Sequence, residues 1–505
     1  MAGIRGGWGA ALGSMALAAA LVLGAGGVPA NAVEVTPTVV PVTGPGSPFL
    51  GLGVFDLKAL GYLVEEYFVS GTATSYRLKG EATADGVWTA EAAGTAPYAT
   101  RIVVVRPVDP RAFNGTVAVE WLNVTGGLDA GPDWTYSHRE MLRRGYAYVG
   151  VSAQKVGVEG GQSLGGAGMP LKKQNPARYA TLAHPGDQFS FDIFSQAGEA
   201  VKSGKVLGPL KARRVLATGE SQSAVFMTTY IDAIDPIAKV YDGFYVHSRF
   251  GGAPAPEFAS MRGGPNARPA PTGVKLRADL RAPVMTLISE TDLIGSNLSG
   301  FWTADQPDNA KLRIWEMPGT AHVDNYMFMI GGFDDGHASP DKIAGLWKPT
   351  DALFGAKMAY PINSAPQHHY VAMAAMAALE TWVRTGRPPP KAPRMEIEAP
   401  AKAGDAPKLV ADAQGNTKGG IRTPWVDAPT AKLSGLGNTG GPFGFLVGTT
   451  MPFDQATLAK LYPGGKADYL KAFDASLAKA VTGGFILPAD QAEIRALAAA
   501  NWPGG

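Results

Sequence analysis

Between residues 115 and 319 short apolar runs alternate with amphipathic ones, and this alternation limits the possible fold more than any other feature of the chain. "GTVAVEWLNV" (115–124), "YAYVGVSA" (146–153), "RRVLATG" (213–219), "YDGFYVHS" (241–248), "PVMTLIS" (283–289) and "LRIWEMPG" (312–319) read as strands. "YSHREMLRRG" (136–145), "DQFSFDIFSQAGEAVKSG" (187–204) and "SQSAVFMTTYIDAI" (221–234) read as helices between them, and "HHYVAMAAMAALETWVRTG" (368–386) as a long helix stopped by Gly386 and Pro388–Pro390. Strands that are apolar along their whole length are covered on both faces. The pattern therefore predicts an α/β fold, a mostly parallel sheet flanked by helices. Residues 61–78 and 88–105 alternate apolar with polar positions and predict antiparallel strands added to one edge. Val33–Pro48 is expected to be extended.

The N-terminus reads as a targeting segment. Ala10–Leu23 is an uncharged apolar run and Ala30-Asn31-Ala32 fits a small-x-small cleavage site. The run falls short of the roughly 20 residues a spanning helix needs. A signal peptide over residues 1–32, cleaved after Ala32, predicts a secreted or periplasmic protein with no stable membrane insertion. Residues 33–390 are expected to form the α/β domain, with cap insertions at about 250–282 and 323–366. Residues 391–505, dense in Pro, Gly and Ala, are expected as an extension packing on that domain, with helices in "MPFDQATLAKLY" and "YLKAFDASLAKAV".

Composition excludes several chemistries. The 505 residues include no cysteine, so thiolate metal sites, thiol nucleophiles and disulfides are ruled out. Lys+Arg 45 against Asp+Glu 43 leaves +2, without the basic excess of a nucleic-acid binder.

"VLATGESQSA" puts Ser221 where a strand turns directly into a helix, with Gly219 two residues before and Ser223 two after. A turn this sharp strains the central residue and tolerates only small flanking residues. It lifts the hydroxyl above the strand end and aims the Gln222 N–H at a developing oxyanion. The alternative is a helix N-cap serine. A serine needs a base, and His322 in "MPGTAHVDN" follows the strand at 312–319. An acid must orient the imidazole. "LISETDLIG" offers Asp292, with Glu290 as the alternative.

"GESQSA", "SETDL" and "PGTAH", in that order, resemble the α/β-hydrolase superfamily. "VEWLNVTGG", "HPGDQFSFDIFSQAG", "GN…GGIR" and "LYP" resemble its exported α/β-hydrolase domain family 10, over roughly residues 50–500. The resemblance implies an eight-stranded mostly parallel sheet and a serine hydrolase, and supports Ser221 and His322 more than the acid. Ser223 departs from the superfamily's usual glycine but is small. The second oxyanion donor belongs on the loop after strand 115–124. That loop is "NVTGG" instead of the His-Gly-Gly-Gly common in the superfamily, and the Thr125 or Gly126 N–H is the candidate.

Other residues have plainer readings. His184 reads as structural. His368 and His369, adjacent on a helix, point to different faces and read as surface or pocket lining. "DDGH" (334–337) lacks calcium-loop spacing. "SLAK" (476–479) matches the S-x-x-K of penicillin-recognising enzymes but has no K-T-G partner. "GGQSLGGAG" (160–168) opens no helix, which argues against nucleotide binding. Trp121, Trp134, Phe250 and Trp302 are core or pocket aromatics.

The expectation is an exported serine hydrolase cleaving carboxylic esters, small or polymeric, with no metal or organic cofactor and no nucleic acid. Amidase, lactonase or acyltransferase chemistry on the same triad is the enzymatic alternative. A catalytically inactive exported binding protein is the alternative from another class.

Overall fold

The strands form where the apolar runs lie. They are β1 (Thr38–Pro41), β2 (Tyr62–Leu78), β3 (Ala90–Pro107), β4 (Thr116–Trp121), β5 (Ala147–Val151), β6 (Arg214–Glu220), β7 (Gly243–His247), β8 (Val284–Ser289) and β9 (Leu312–Met317). This computed structural model describes residues 36–503 apart from 167, 260–270, 401 and 403–404. The expected signal peptide and part of the 250–282 insertion lie outside the described residues.

One sheet carries all nine strands in the order β1-β2-β3-β5-β4-β6-β7-β8-β9. From β5 to β9 along the sheet every pairing is parallel. β2 and β3 form a long antiparallel ribbon, and β3 joins antiparallel to β5. The sheet thus has one strand more than the expected eight. The additional one, β1, pairs with β2 from Thr38↔Ser70 to Pro41↔Tyr67. It is mostly exposed, so backbone pairing at an open edge holds it there, which apolar periodicity does not report.

The inner strands are buried on both faces. Val117, Val119 and Trp121 of β4 enter one core, with Phe191, Phe194 and Phe226. Ala118 enters the other, with Trp134, Tyr370 and Leu379. Helix α1 (Pro132–Arg143) begins four residues before its expected start, because Pro132 occupies the first turn, where a missing N–H costs nothing. Helix α2 (Ser190–Lys202) follows a 3₁₀ turn, and α3 (Gln222–Thr229) widens into a π turn at Tyr230–Ile234. Between β5 and α2 lie two short helices, Lys155–Glu159 and Leu171–Gln174, which flank the Gly-rich 160–168 segment. Helix α4 (Glu290–Ile294) is a short one after β8, and the long α5 (Gln367–Thr385) ends at Gly386 with φ 75°.

In the C-terminal region a hairpin of β10 (Ala431–Ser434) and β11 (Thr449–Pro452) precedes α6 (Lys466–Thr482) and α7 (Gln491–Ala500). Helix α7 was not expected, yet Ile494, Leu497 and Ala498 repeat at helical spacing and are buried. Phe473 and Leu477 of α6 join the same core as α5.

The chain order places the functional end. β5 lies on one side of β4 and β6 on the other, so the strand order reverses at β4. In such sheets a crevice opens at the carboxyl ends of the strands flanking the reversal. The loops after β4 and β6 meet there.

Candidate active site

Ser221 follows β6 directly, with φ 61° and ψ −121°. A non-glycine residue in this region stores strain of roughly 1–3 kcal/mol. Its N–H donates to the carbonyl of His247 at 2.9 Å, which pins the turn to β7. A Cβ on Gly219 would stand 3.1 Å from the Ser223 carbonyl carbon and 3.2 Å from its Cβ, so both positions must stay small.

His322 lies on the loop after β9. Its Nε2 is 2.7 Å from the Ser221 Oγ and its Nδ1 is 2.5 Å from Asp292 Oδ1. With Nδ1 donating to the carboxylate, Nε2 is bare and accepts the serine hydroxyl. Ser221 is 8% exposed and His322 is 1% exposed, so the pair sits at the floor of the crevice. The Phe250 ring stands 5.0 Å from the imidazole, centroid to centroid.

The carboxyl at the imidazole is that of Asp292. It sits in the first turn of α4, where its Oδ2 accepts the Ser289 N–H at 2.8 Å and the Ser289 hydroxyl caps its own N–H. Burial pushes this carboxyl up, but the His322 imidazole and the Ser289 hydrogen bonds hold it below its ordinary value. Glu290 points away from His322. It accepts the N–H groups of Gly319 at 2.6 Å and Gly435 at 2.8 Å and the hydroxyl of Ser434 at 3.1 Å. Two residues of separation place the two acids on opposite sides of the loop. Glu290 fastens the C-terminal hairpin to the loops that carry Asp292 and His322.

The candidate oxyanion donors separate in the same way. Gln222 is the first residue of α3, so its N–H has no partner within the helix. The Thr125 N–H donates to Asn123 Oδ1 at 2.8 Å and is already engaged. The expectation of Thr125 as a donor therefore fails in this state, because the asparagine at the strand end turns its side chain back on the loop. The Gly126 N–H makes no hydrogen bond among the described residues. The Asn123 amide donates to the Glu220 carbonyl at 3.2 Å, so this loop is tied to the turn that carries Ser221. The "GGQSLGGAG" segment packs over it, with Leu164 N–H on the Thr125 carbonyl and Met169 N–H on that of Gly127, each at 2.9 Å. A Cβ on Gly127, whose φ is +80°, would stand 2.6 Å from Gly168 Cα. The glycines allow two backbones to touch.

The family described as "Alpha/beta hydrolase domain" matches this chain over residues 33–496. The chain belongs to that family. No curated protein matches it. Three of its solved relatives in fold are distant. One is an α/β serine hydrolase without lid from Xanthomonas campestris, at 12% identity, 50% of this chain, 85% of that one and TM-score 0.27. The esterase Est22 shares 11% identity over 51% and 72% of the two chains, TM-score 0.27. A thermostable esterase from Pseudomonas putida ECU1011 shares 13% over 47% and 66%, TM-score 0.24. The family match carries the assignment; these partial likenesses do not.

Beneath Ser221, this α/β hydrolase buries a second set of polar groups. His247 meets Asp133 Oδ1 through Nδ1 and His368 Nε2 through Nε2, both at 2.8 Å. His369 donates through Nδ1 to the Tyr136 carbonyl at 2.8 Å. His368 and His369 are fully buried, against the expectation of surface or pocket lining. The reason is that α5 packs against the sheet, against α1 and against the C-terminal helices, so more than one of its sides is covered. His184 is structural, its Nε2 2.8 Å from the Ala153 carbonyl. Asp334 of "DDGH" pairs with Arg139 at 3.0 Å, and no three His, Asp or Glu among the described residues could hold a metal. Ser476 of "SLAK" donates to Asp427 at 2.9 Å. Trp121 and Trp134 are core, and Trp302 is half-buried against it. Sequence reasoning missed Asn123, Glu220 and His247; the position of each at a strand end on the site side was the available signal.

Proposed function

We propose that this α/β hydrolase is an exported serine hydrolase that cleaves carboxylic esters, with Ser221 as nucleophile, His322 as general base and acid, and Asp292 as the orienting carboxylate. The observation that carries this reading is the unbroken contact from Ser221 Oγ through the imidazole to Asp292, at 2.7 and 2.5 Å. Export rests on the signal-like residues 1–32.

In this mechanism Ser221 attacks the ester carbonyl while its proton passes to Nε2. The oxyanion takes the N–H groups of Gln222 and Gly126; each such donor lowers the barrier by about 3–4 kcal/mol. The tetrahedral intermediate collapses, and Nε2–H protonates the leaving alcohol. Water then enters, His322 takes its proton, and the acyl-enzyme is hydrolysed. Asp292 keeps its negative charge throughout and offsets the imidazolium. Phe250, tilted beside the imidazole, and its apolar neighbours Val323, Leu446 and Val447 form an apolar wall that suits the apolar part of an ester.

The test uses a short-chain p-nitrophenyl ester and a fluorophosphonate probe. The protein should turn over the ester and take up one label. Ser221→Ala should lose both while keeping its circular dichroism spectrum. Labelling that survives Ser221→Ala would refute the nucleophile.

A further inference from the structure

Glu220 takes no part in the chemistry just described, although it lies against it. It ends β6, one position before Ser221, and its Oε1 is 3.5 Å from Nε2 of His322. The residue is 2% exposed. Its Oε2 lies 3.4 Å from the Asn123 amide nitrogen, while Oε1 accepts no hydrogen bond among the described residues.

A buried acceptor without a donor is costly to keep. The atom that faces this one is Nε2, which carries no hydrogen at rest because it accepts the hydroxyl of Ser221. It gains an N–H, and a positive charge, only when the serine proton arrives. Oε1 then has a donor.

We infer that Glu220 is a positioning residue that accepts a hydrogen bond from Nε2–H of His322 once Ser221 has given up its proton. This rests on the roles proposed above for Ser221 and His322. A contact made in the transition state and absent from the ground state accelerates the reaction. The balance is simple. The Oγ–H bond breaks, Nε2–H forms, and that proton continues to the leaving oxygen; Glu220 gains and loses nothing. Its part is to hold the ring so that Nε2–H points between Oε1 and the leaving group.

The surroundings fit this part. Burial, then Asp133 of α1, Asp292 of α4 and Glu120 of β4, push this carboxyl well above its ordinary value, and Tyr136 of α1 and Tyr245 of β7 also feel it. His247 is its partner across the β6–β7 pairing. On the His322 side the neighbours are Asp292, His247 and His368. None of these groups is a lysine or arginine, so no fixed cation opposes a transient imidazolium, and Oε1 can accept its N–H whether or not Oε2 carries a proton.

The test compares full-length Glu220→Met, which removes the acceptor at nearly constant size, with Glu220→Gln, which keeps a neutral one. Hydrolysis of p-nitrophenyl acetate is followed across the bell-shaped pH profile. For Glu220→Met, kcat should fall roughly tenfold to a hundredfold with KM within about twofold, as for one charge-assisted hydrogen bond confined to the transition state. The acid limb of kcat/KM should move to lower pH, because the protonated ring has lost a partner. Glu220→Gln should recover most of kcat, with a smaller movement in the same direction. Parental kcat in Glu220→Met, or lost activity with an unmoved limb, would overturn the inference. If Glu220→Met does not fold, the limb in Glu220→Gln decides by the same rule. Fluorophosphonate labelling of the parent protein separates the two readings. An unlabelled parent overturns both, whereas a labelled parent with an unmoved limb overturns this one alone.

Discussion

Two histidine–aspartate pairs share the interior of this α/β hydrolase. His322 meets Asp292 at 2.5 Å and His247 meets Asp133 at 2.8 Å, each through Nδ1. All four side chains are buried. They differ in what surrounds the acid and what faces the second nitrogen. Asp292 has the Ser289 N–H and the imidazole to stabilise its charge, and its carboxyl is held low despite burial. Asp133 has the His247 imidazole and the Thr218 hydroxyl beside it, but its Oδ2 has no N–H to accept among the described residues. Burial pushes it up to about 8 and pushes His247 down to about 3, so the second pair is neutral at neutral pH. Nε2 of His322 faces a hydroxyl at the crevice, whereas Nε2 of His247 faces another buried imidazole. The lesson is that an Asp–His contact supports catalysis only where the carboxylate stays ionised and the far nitrogen reaches a reacting group.

That contrast can be broken in several ways. The largest effect belongs to the acids. Asp292→Asn should lower kcat by about 10⁴-fold, since the imidazole loses both its tautomer and its counter-charge. Asp133→Asn should cost less than about tenfold. Equal losses in ester turnover would erase the distinction.

Stability should reverse the order. His247→Leu leaves Asp133 and His368 without their partner and should cost about 1–3 kcal/mol for each in urea unfolding. His322→Gln should cost about 1–3 kcal/mol, because the glutamine amide can still donate to Asp292 but carries no charge. A near-neutral His247→Leu would show that the deeper pair is not structural.

Glu290 sharpens the comparison from the other side. Glu290→Gln should destabilise by about 1–3 kcal/mol, since the donors of Gly319, Gly435 and Ser434 lose a charged acceptor. Catalysis by the folded fraction should stay within about tenfold. A loss matching that of Asp292→Asn would make Glu290 the orienting acid.

A pH dependence probes the deeper pair by itself. The carboxyl of Asp133 is raised from 3.8 to about 8, so its folded form binds a proton more tightly than its unfolded form, and stability falls as pH rises through that window. Asp292 is lowered, so its contribution is present above 3.8 and is lost as pH falls below it. Asp133→Asn should therefore flatten the decline in unfolding free energy between these two values. An unchanged slope would mean that Asp133 keeps its charge in the folded protein.

Much of this was legible in the residues. The strand runs at 115–124, 213–219, 283–289 and 312–319 found their places because continuous apolar strands are unambiguous in a parallel sheet. The turn at Ser221 could be read from small residues spaced around a strand-to-helix junction. The choice between Glu290 and Asp292 could not, because both follow the same strand and only side-chain direction separates them. Thr125 was misread for a similar reason: whether a loop N–H is free depends on what the neighbouring asparagine does. The burial of His368 and His369 depends on α1 lying across α5, a contact between segments more than 200 residues apart.

The sequence by itself determined the sheet's parallel core, through local periodicity, and the site end of its strands, through the small residues around the strand-to-helix turn at Ser221. The tertiary structure alone decided which acid meets the imidazole, which backbone N–H remains free and which histidines are buried. Those outcomes depend on charge, burial and packing between distant segments, and such quantities exist only once the chain has closed on itself.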